Sequence, residues 1–261
     1  MKKLPFVTII IPYKNNLKYL FPAIKSIFRQ SYKNFKIIII YDDDDKSDLN
    51  KIKNFLKIIN NKKKISIKIL VNQNSIGAGY SRNIGIKKSK TKYVAFLDSD
   101  DLWTKNKLKT QIHFMEKNKQ VFSHSSYFII NSKNKIISKR EAKPEITFNQ
   151  LIKSCDIGLS TVVMDLYFIK KYKLYFPKIK TKEDFVLWLK ISAKIKIIKG
   201  IDKKLSYYRK VHNSLSSNKL TSFINGYKVY KEYMKYNFIK SIYYLLILSI
   251  NSLKKKITSG L

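Results

Sequence analysis

Apolar residues arrive in short dense runs, and the stretches between them change period. Residues 6–11, 35–41, 65–71 and 93–97 are rich in β-branched and aromatic side chains and nearly free of charge. Such runs predict strands covered on both faces, as in a parallel sheet. Pro12 is expected to end the first of them, with 13–16 forming a loop. Leu20, Ile24, Ile27 and Phe28 recur at helical spacing and predict a helix over 17–30, followed by a second over 49–59 and a loop with a helix over 77–87. Strand alternating with helix in this rhythm predicts an α/β domain, its sheet largely parallel and flanked by helices on both faces. The loops at Pro12, Asp42 and Asp98 then all leave carboxyl ends of strands, the edge at which open α/β sheets bind ligands.

Acidic residues concentrate on that edge. The run 93–103, YVAFLDSDDLW, ends its strand in Asp98, Asp100 and Asp101. Asp98 and Asp100 lie two residues apart and can point the same way once the chain leaves the pleat. Two such carboxylates suit a hard cation, Mg²⁺ or Mn²⁺, whose other ligands are often phosphate oxygens; the same spacing also fits a solvated acidic turn. Asp42, Asp43, Asp44 and Asp45 close the second strand in the same way. In 74–85, NSIGAGYSRNIG, the third glycine of a dinucleotide fingerprint is replaced by Arg82, so that reading fails. Arg82 falls in the first turns of a helix, where its guanidinium can fork onto phosphate oxygens or stand on the surface. Glu183 and Asp184 read locally as helix N-terminal charge, with Thr181 as the cap and Asp184 closing a capping-box variant.

Composition narrows the classes. The chain has 261 residues, 44% of them apolar, enough for one large domain or one with an appendage. Its single cysteine, Cys155, excludes an intrachain disulfide and a cysteine metal cluster and fits a reducing compartment. The basic N-terminus carries only a short apolar run, broken by Pro12 and Lys14, and is not read as a signal peptide. The expectation is a cytoplasmic protein, with a peripheral seat on the inner face of the cytoplasmic membrane left open. A net charge of +37 points to nucleic acid, an anionic membrane or a phosphate-bearing substrate. The lysines are spread through every segment and no nucleic-acid-binding motif is present, so nucleic acid is not the expected partner. From Phe223 the pattern changes: Phe223, Tyr227, Tyr230, Met234 and Phe238 recur at helical spacing among lysines. Residues 221–261 are therefore read as a basic amphipathic appendage. It lies on an anionic membrane, packs on the rest of the chain, or meets a second subunit in a homo-oligomer.

Five pieces in order, VTIIIPYKN at 7–15, KIIIIYDD at 36–43, AGYSRNIGI at 78–86, YVAFLDSDDLW at 93–103 and KEDFVLWLK at 182–190, resemble a family 2 glycosyltransferase with the GT-A fold. CDIGLSTVVMDL at 155–166 and LSYYRKVHNSLSSNK at 205–219 resemble bacterial cell-surface polysaccharide enzymes of teichuronic-acid and O-antigen type. The resemblance implies a catalytic domain over 1–220, with a nucleotide-sugar half near 1–103 and an acceptor half near 104–220. It implies an inverting, metal-dependent transfer from a nucleotide-diphosphate sugar, a UDP-sugar first, to a glycan or lipid-linked acceptor. Pro12, Tyr13 and Asn15 would line the nucleoside, Asp42 or Asp43 would bond the base, and Arg82 would lie near the diphosphate. Asp98, Ser99 and Glu183 would contact the nucleotide sugar, while Asp98 and Asp100, with His212, would hold Mn²⁺ or Mg²⁺. Asp184 matches the catalytic base. Here Lys14 precedes Asn15 where the family has an aromatic residue, and Asp44 and Asp45 replace a glycine-serine pair. The other classes weighed are a nucleotidyltransferase making nucleotide sugars and a basic nucleic-acid-binding module; the first would carry a glycine-rich loop directly after the first strand, and 12–16 holds no glycine.

Overall fold

A computed structural model describes residues 4–211 and 219–258. The first half is four parallel strands, β1 (Val7–Tyr13), β2 (Phe35–Tyr41), β3 (Ile67–Val71) and β4 (Tyr93–Phe96), in the order β3-β2-β1-β4. Helices α1 (Leu17–Phe28), α2 (Ser47–Asn60) and α3 (Ala78–Lys88) connect them. Alternation along β1 divides two cores: Val7, Ile9, Ile11 and Tyr13 pack with α1 and α2, and Ile10 packs toward α3. Both faces are covered, so nearly every side chain of β1 and β2 is buried.

Pro12 does not end β1. It pairs in register with Ile40, and the strand continues to Tyr13. Odd-numbered residues of β1 bond toward β2, as in the bond from Asp42 N–H to Tyr13 O, whereas Leu97 N–H bonds to Ile10 O on the β4 side. Pro12 faces that second side, beyond the end of β4, where its missing N–H has no strand to serve.

The second half was less visible in the pattern. It contains β5 (Leu102–Trp103), α4 (Lys107–Lys117), β6 (Phe122–Ile130), β7 (Ile136–Arg140), β8 (Glu145–Thr147), α5 (Phe148–Leu151), β9 (Val163–Asp165), α6 (Leu166–Lys171), α7 (Glu183–Ile195) and β10 (Ile197–Arg209). The sheet continues from β4 as β9-β6-β10-β5, with β7 on β6 and β8 on β10. The three-residue β9 runs antiparallel to both β4 and β6 and joins the halves. Trp188 of α7, fully buried, packs edge-on against Phe122 and so fixes α7 under this junction.

The start of α7 differs from the capping box expected for it. Lys182, in the left-handed region at φ 67°, precedes the helix and gives no side-chain cap. Thr181 instead accepts a hydrogen bond from Asn225 at 3.0 Å, tying the last segment to this turn. That last segment is α8 (Lys219–Lys228), a π-helical turn over Val229–Tyr233 and α9 (Phe238–Thr258). Val229, Tyr230, Leu245 and Leu248 are buried in the same core as α7, and the Tyr230 hydroxyl donates to Ile152 O. The outer face of α9 exposes Ile239, Tyr243, Leu246, Ile250, Leu253 and Ile257, three or four residues apart. Among the described residues no helix is long and apolar enough to cross a membrane.

Candidate active site

Four consecutive carboxylates after β2 build the rim by accepting backbone amides. Asp42 accepts from Ile76 N–H and Gly77 N–H, both at 2.8 Å, and from the Asn72 side chain. Asp43 accepts from Asn15 N–H at 2.7 Å, Asp44 from Ser75 N–H and Asp45 from Ser47 N–H at the start of α2. Three loops are thereby held to one strand end. Gly77 enters α3 at φ +90°, a backbone conformation that side chains strain, so the amide pair aimed at Asp42 depends on glycine there. Both Asp42 oxygens are taken; among the described residues Asp43 Oδ1 meets only Asp45 N–H, at a long 3.4 Å.

Arg82 is the centre of the site. Its guanidinium, 4% exposed, donates to Asp98 Oδ1 at 2.6 Å and to Glu183 Oε1 at 2.8 Å, and it lies over the Phe176 ring. One side chain on α3 therefore links the end of β4 to the first turn of α7. Buried charge of this kind persists only when paired on both sides. The close approach is permitted by Gly79, where a Cβ would stand 3.0 Å from Glu183 Cγ. The fork expected to reach phosphate is occupied by carboxylates in this structure.

After Asp98 the chain makes a tight turn, with Asp101 N–H donating to Asp98 O. Asp98 N–H donates to Ser160 Oγ, and Ser160 O accepts from Trp103 Nε1 and Ser206 Oγ. Asp101 is buried and accepts from Arg209 N–H, while Arg209 Nε donates to Asp100 O. Arg209 also lies over the Tyr19 ring at 4.5 Å. Ser160 and Arg209 thus fix the Asp98–Asp101 turn. Neither stood out in the sequence, because a serine and an arginine on strands and loops carry no periodic signal.

Crowded carboxylates raise one another. Burial, then the charge of Asp98, pushes Asp100 up to about 6. Burial, then Glu183, pushes Asp184 up to about 7. Asp98 and Arg82 also act on Asp184, with opposite signs, which places all four residues in one electrostatic neighbourhood. Asp184 Oδ1 accepts from Phe185 N–H.

The predicted residues divide. Asp98, Asp100, Arg82, Glu183 and Asp184 gather in one electrostatic neighbourhood. Ser99 borders it and accepts from Asn16 Nδ2 at 3.4 Å, and Asn15 and Asp43 close the neighbouring rim. Pro12 is buried within β1. The Tyr13 ring is also fully buried, beside Tyr41, and its hydroxyl donates to Asp48, so that ring turns away from the rim. His212 lies outside the described residues. Among the described residues no group of three or more metal-type side chains gathers. The donor set at Asp98 and Asp100 still fits a divalent cation. Asp98 Oδ2 and the Asp100 carboxylate have no side-chain partner among the described residues, and Asp100 is raised by burial and by the Asp98 charge, which a bound cation would offset. Such a cation would take its remaining ligands from the substrate.

Comparison with known proteins gives the family. The family model described as "Glycosyl transferase family 2" matches residues 8–176. A UDP-Glc:alpha-D-GlcNAc-diphosphoundecaprenol beta-1,3-glucosyltransferase, WfgD of Escherichia coli, is 37% identical over 95% of this chain and 94% of its own. The putative teichuronic acid biosynthesis glycosyltransferase TuaG of Bacillus subtilis is 30% identical over 97% of this chain and 98% of its own. In structure the chain resembles S. aureus TarS 1-349, solved in complex with UDP-GlcNAc, with a TM-score of 0.66 and 24% identity over 85% of this chain and 64% of that one. At that identity the likeness carries the fold.

Proposed function

The chain belongs to glycosyl transferase family 2, and on that premise we propose that it moves a sugar from a UDP-sugar to a lipid-linked glycan acceptor, with inversion, during assembly of a bacterial cell-surface polysaccharide. The observation that carries the reading is the Arg82 bridge, which draws together the carboxylate after β4 and the one that opens α7 at the carboxyl edge of the sheet. The nucleoside lies along the rim of 12–16 and 42–45, where Asp43, with its less engaged oxygen, is the better contact for the base than Asp42. Asp98 and Asp100 would hold Mg²⁺ or Mn²⁺, which when bound stabilises charge on the departing diphosphate as a Lewis acid.

Asp184 is the general base. It takes the proton of the acceptor hydroxyl as that oxygen bonds the anomeric carbon; the carbon–oxygen bond to the diphosphate breaks and its electron pair leaves with the diphosphate. A pKa near 7 suits this task, since such a group is ionised near neutral pH and still basic enough to accept a proton. Glu183, clamped by Arg82, fixes the turn from which Asp184 projects. Base and leaving group on opposite sides of the sugar give inversion.

The acceptor's lipid places the reaction at a membrane. The exposed stripe of α9 is flanked by Lys240 and Lys254, and the chain carries +37 overall. That charge opposes a second copy on the stripe and favours an anionic bilayer, into whose interface such a helix can lie. The test of the donor reading is thermal unfolding with UDP-, GDP- and dTDP-sugars plus Mn²⁺. At a hundred times its dissociation constant a ligand adds about 2.7 kcal/mol. Stabilisation by UDP-sugars, lost with chelator and in Asp100→Asn, is expected; the absence of any nucleotide-sugar response refutes the reading.

A further inference from the structure

A second concavity lies beside α9, away from the rim built by Asp42 to Asp45. It has a volume of about 510 Å³ and is lined by Arg140, Lys143, Lys153, Lys254, Lys255 and Asp156, together with Tyr127 and Cys155. Its charge is unbalanced. Two carboxylates also line it: Asp156 pairs with Lys143 at 3.2 Å and with Lys255, and Glu141 pairs with Lys139 and Lys204. Five cations thus line a space that holds two carboxylates, both already paired with lysines.

Lysine is everywhere in this chain, so lysines alone would decide nothing. Arginine is not: the sequence holds four, Arg29, Arg82, Arg140 and Arg209. Arg82 and Arg209 hold the catalytic carboxylates and their turn. Arg140 stands at the end of β7 in this second space, with Nη2 on Lys255 O. A planar fork among point charges is the arrangement that recognises phosphate oxygens.

The cavity is also near the chemistry. Asp156 and Ser160, which accepts from Asp98 N–H, are four residues apart, so they are separated by at most roughly 14 Å. The Cys155 thiol, on the cavity wall, is pushed up to about 12 by burial and then by the charge of Asp184. On its outer side the cavity meets Lys254, one residue from Leu253 of the exposed α9 stripe. A ligand there can have one end toward Asp184 and the other toward the helix face placed on the bilayer.

We infer that this cavity holds the diphosphate that joins the acceptor sugar to its lipid carrier. The inference rests on the lipid-linked acceptor proposed above. It makes the site two-ended: one pyrophosphate leaves from the Asp98 cleft while a second, unreacting one anchors the acceptor. The cavity then selects acceptors by the diphosphate as well as by the sugar.

The probe is decyl diphosphate, titrated calorimetrically into the full chain saturated with UDP, so that the donor cleft is closed to it. Binding is expected, and Lys143→Gln with Lys153→Gln, both exposed and safe for folding, weakens it at least tenfold with UDP affinity unchanged. Lys88→Gln with Lys90→Gln, which removes the same charge at the far end of α3, leaves it unchanged. No uptake of decyl diphosphate by the UDP-bound chain overturns the inference, as does equal binding by the cavity pair, or equal loss in the two pairs. Phosphatidylglycerol vesicles without diphosphate distinguish the headgroup source: vesicle binding lost in the cavity pair while decyl diphosphate binding survives assigns the cations to headgroups and also overturns it. Failure of the donor reading would register separately, as absent UDP-sugar affinity in the same samples.

Discussion

Replacing Arg82 with methionine removes the cation from between two carboxylates without opening a large hole. The guanidinium makes two charge-assisted bonds, at 2.6 and 2.8 Å, to side chains that are 29% and 15% exposed. Breaking a buried pair from one side costs about 3–5 kcal/mol, and the partial hydration of Asp98 moves the figure toward the lower end, about 3 kcal/mol. In urea that is a midpoint lowered by about 1 M for a chain of this size. The loss has a pH signature. Without Arg82, two partly buried carboxylates stand with no cation between them, and it is their negative charge that costs stability; protonation as pH falls relieves that cost. The deficit of Arg82→Met against the parent is therefore larger at pH 8 than at pH 5, and adding Glu183→Gln recovers part of it. Urea curves at both pH values measure this. A variant within about 0.5 kcal/mol of the parent at pH 8, or a larger deficit at pH 5, refutes the account of Arg82 as the clamp.

Three further outcomes follow from the same geometry. Turnover rises with pH and levels above about 7 as Asp184 ionises, and Asp184→Asn lowers kcat by about a hundredfold or more with UDP-sugar affinity retained; pre-equilibrium binding and a pH–rate profile separate the two, and near-parental turnover removes Asp184 from the role. Lys107 is fully buried, its Nζ lies 4.1 Å from the centre of the Trp103 ring and finds no hydrogen-bond partner among the described residues, and burial holds its pKa well below the usual lysine value. Lys107→Met therefore stabilises by about 1–2 kcal/mol near neutral pH. Because the unfolded chain binds that proton more readily, the gain shrinks as pH rises toward 10; urea unfolding at pH 6 and 9 checks the sign, and a gain that grows with pH contradicts it. Leu246→Glu with Ile250→Glu on the outer face of α9 lowers co-sedimentation with phosphatidylglycerol vesicles about tenfold while the melting temperature holds; unchanged pelleting would move the membrane contact elsewhere.

How much of this was legible in the chain depends on how each element is held. β1, β2 and β4 are buried on both faces, so their runs of isoleucine and valine stood out, and the acidic residues at their ends followed by position; β3, at the sheet edge, is half-exposed and was found by its apolar run alone. β6 to β10 were not visible: β9 has three residues, and β10 mixes lysines with apolar positions over thirteen. The carboxylates were readable as residues, but their engagements were not. Nothing local says that Asp42 is filled by the amides of Ile76 and Gly77, or that Arg82 faces Glu183, because those pairs are fixed by packing between distant segments. Pro12 misled because its missing donor is harmless on a side where the neighbouring strand has stopped. The last segment was readable as helical because its aromatic spacing is regular; which of its open readings holds was not, and Tyr230 and Leu245 pack on the rest of the chain, in one core with Trp188.

The position of β9 has a consequence for synthesis of the protein. It is the strand that lies directly against β4, yet it is made only after β5 to β8. While a ribosome is still translating the stretch between Phe96 and Val163, the nascent first half carries a flat apolar strand whose outer edge is open to any passing chain. Translation that stalls in this interval leaves a species prone to edge-to-edge association, and limited proteolysis of arrested chains would find β4 protected only once residue 165 has cleared the exit tunnel.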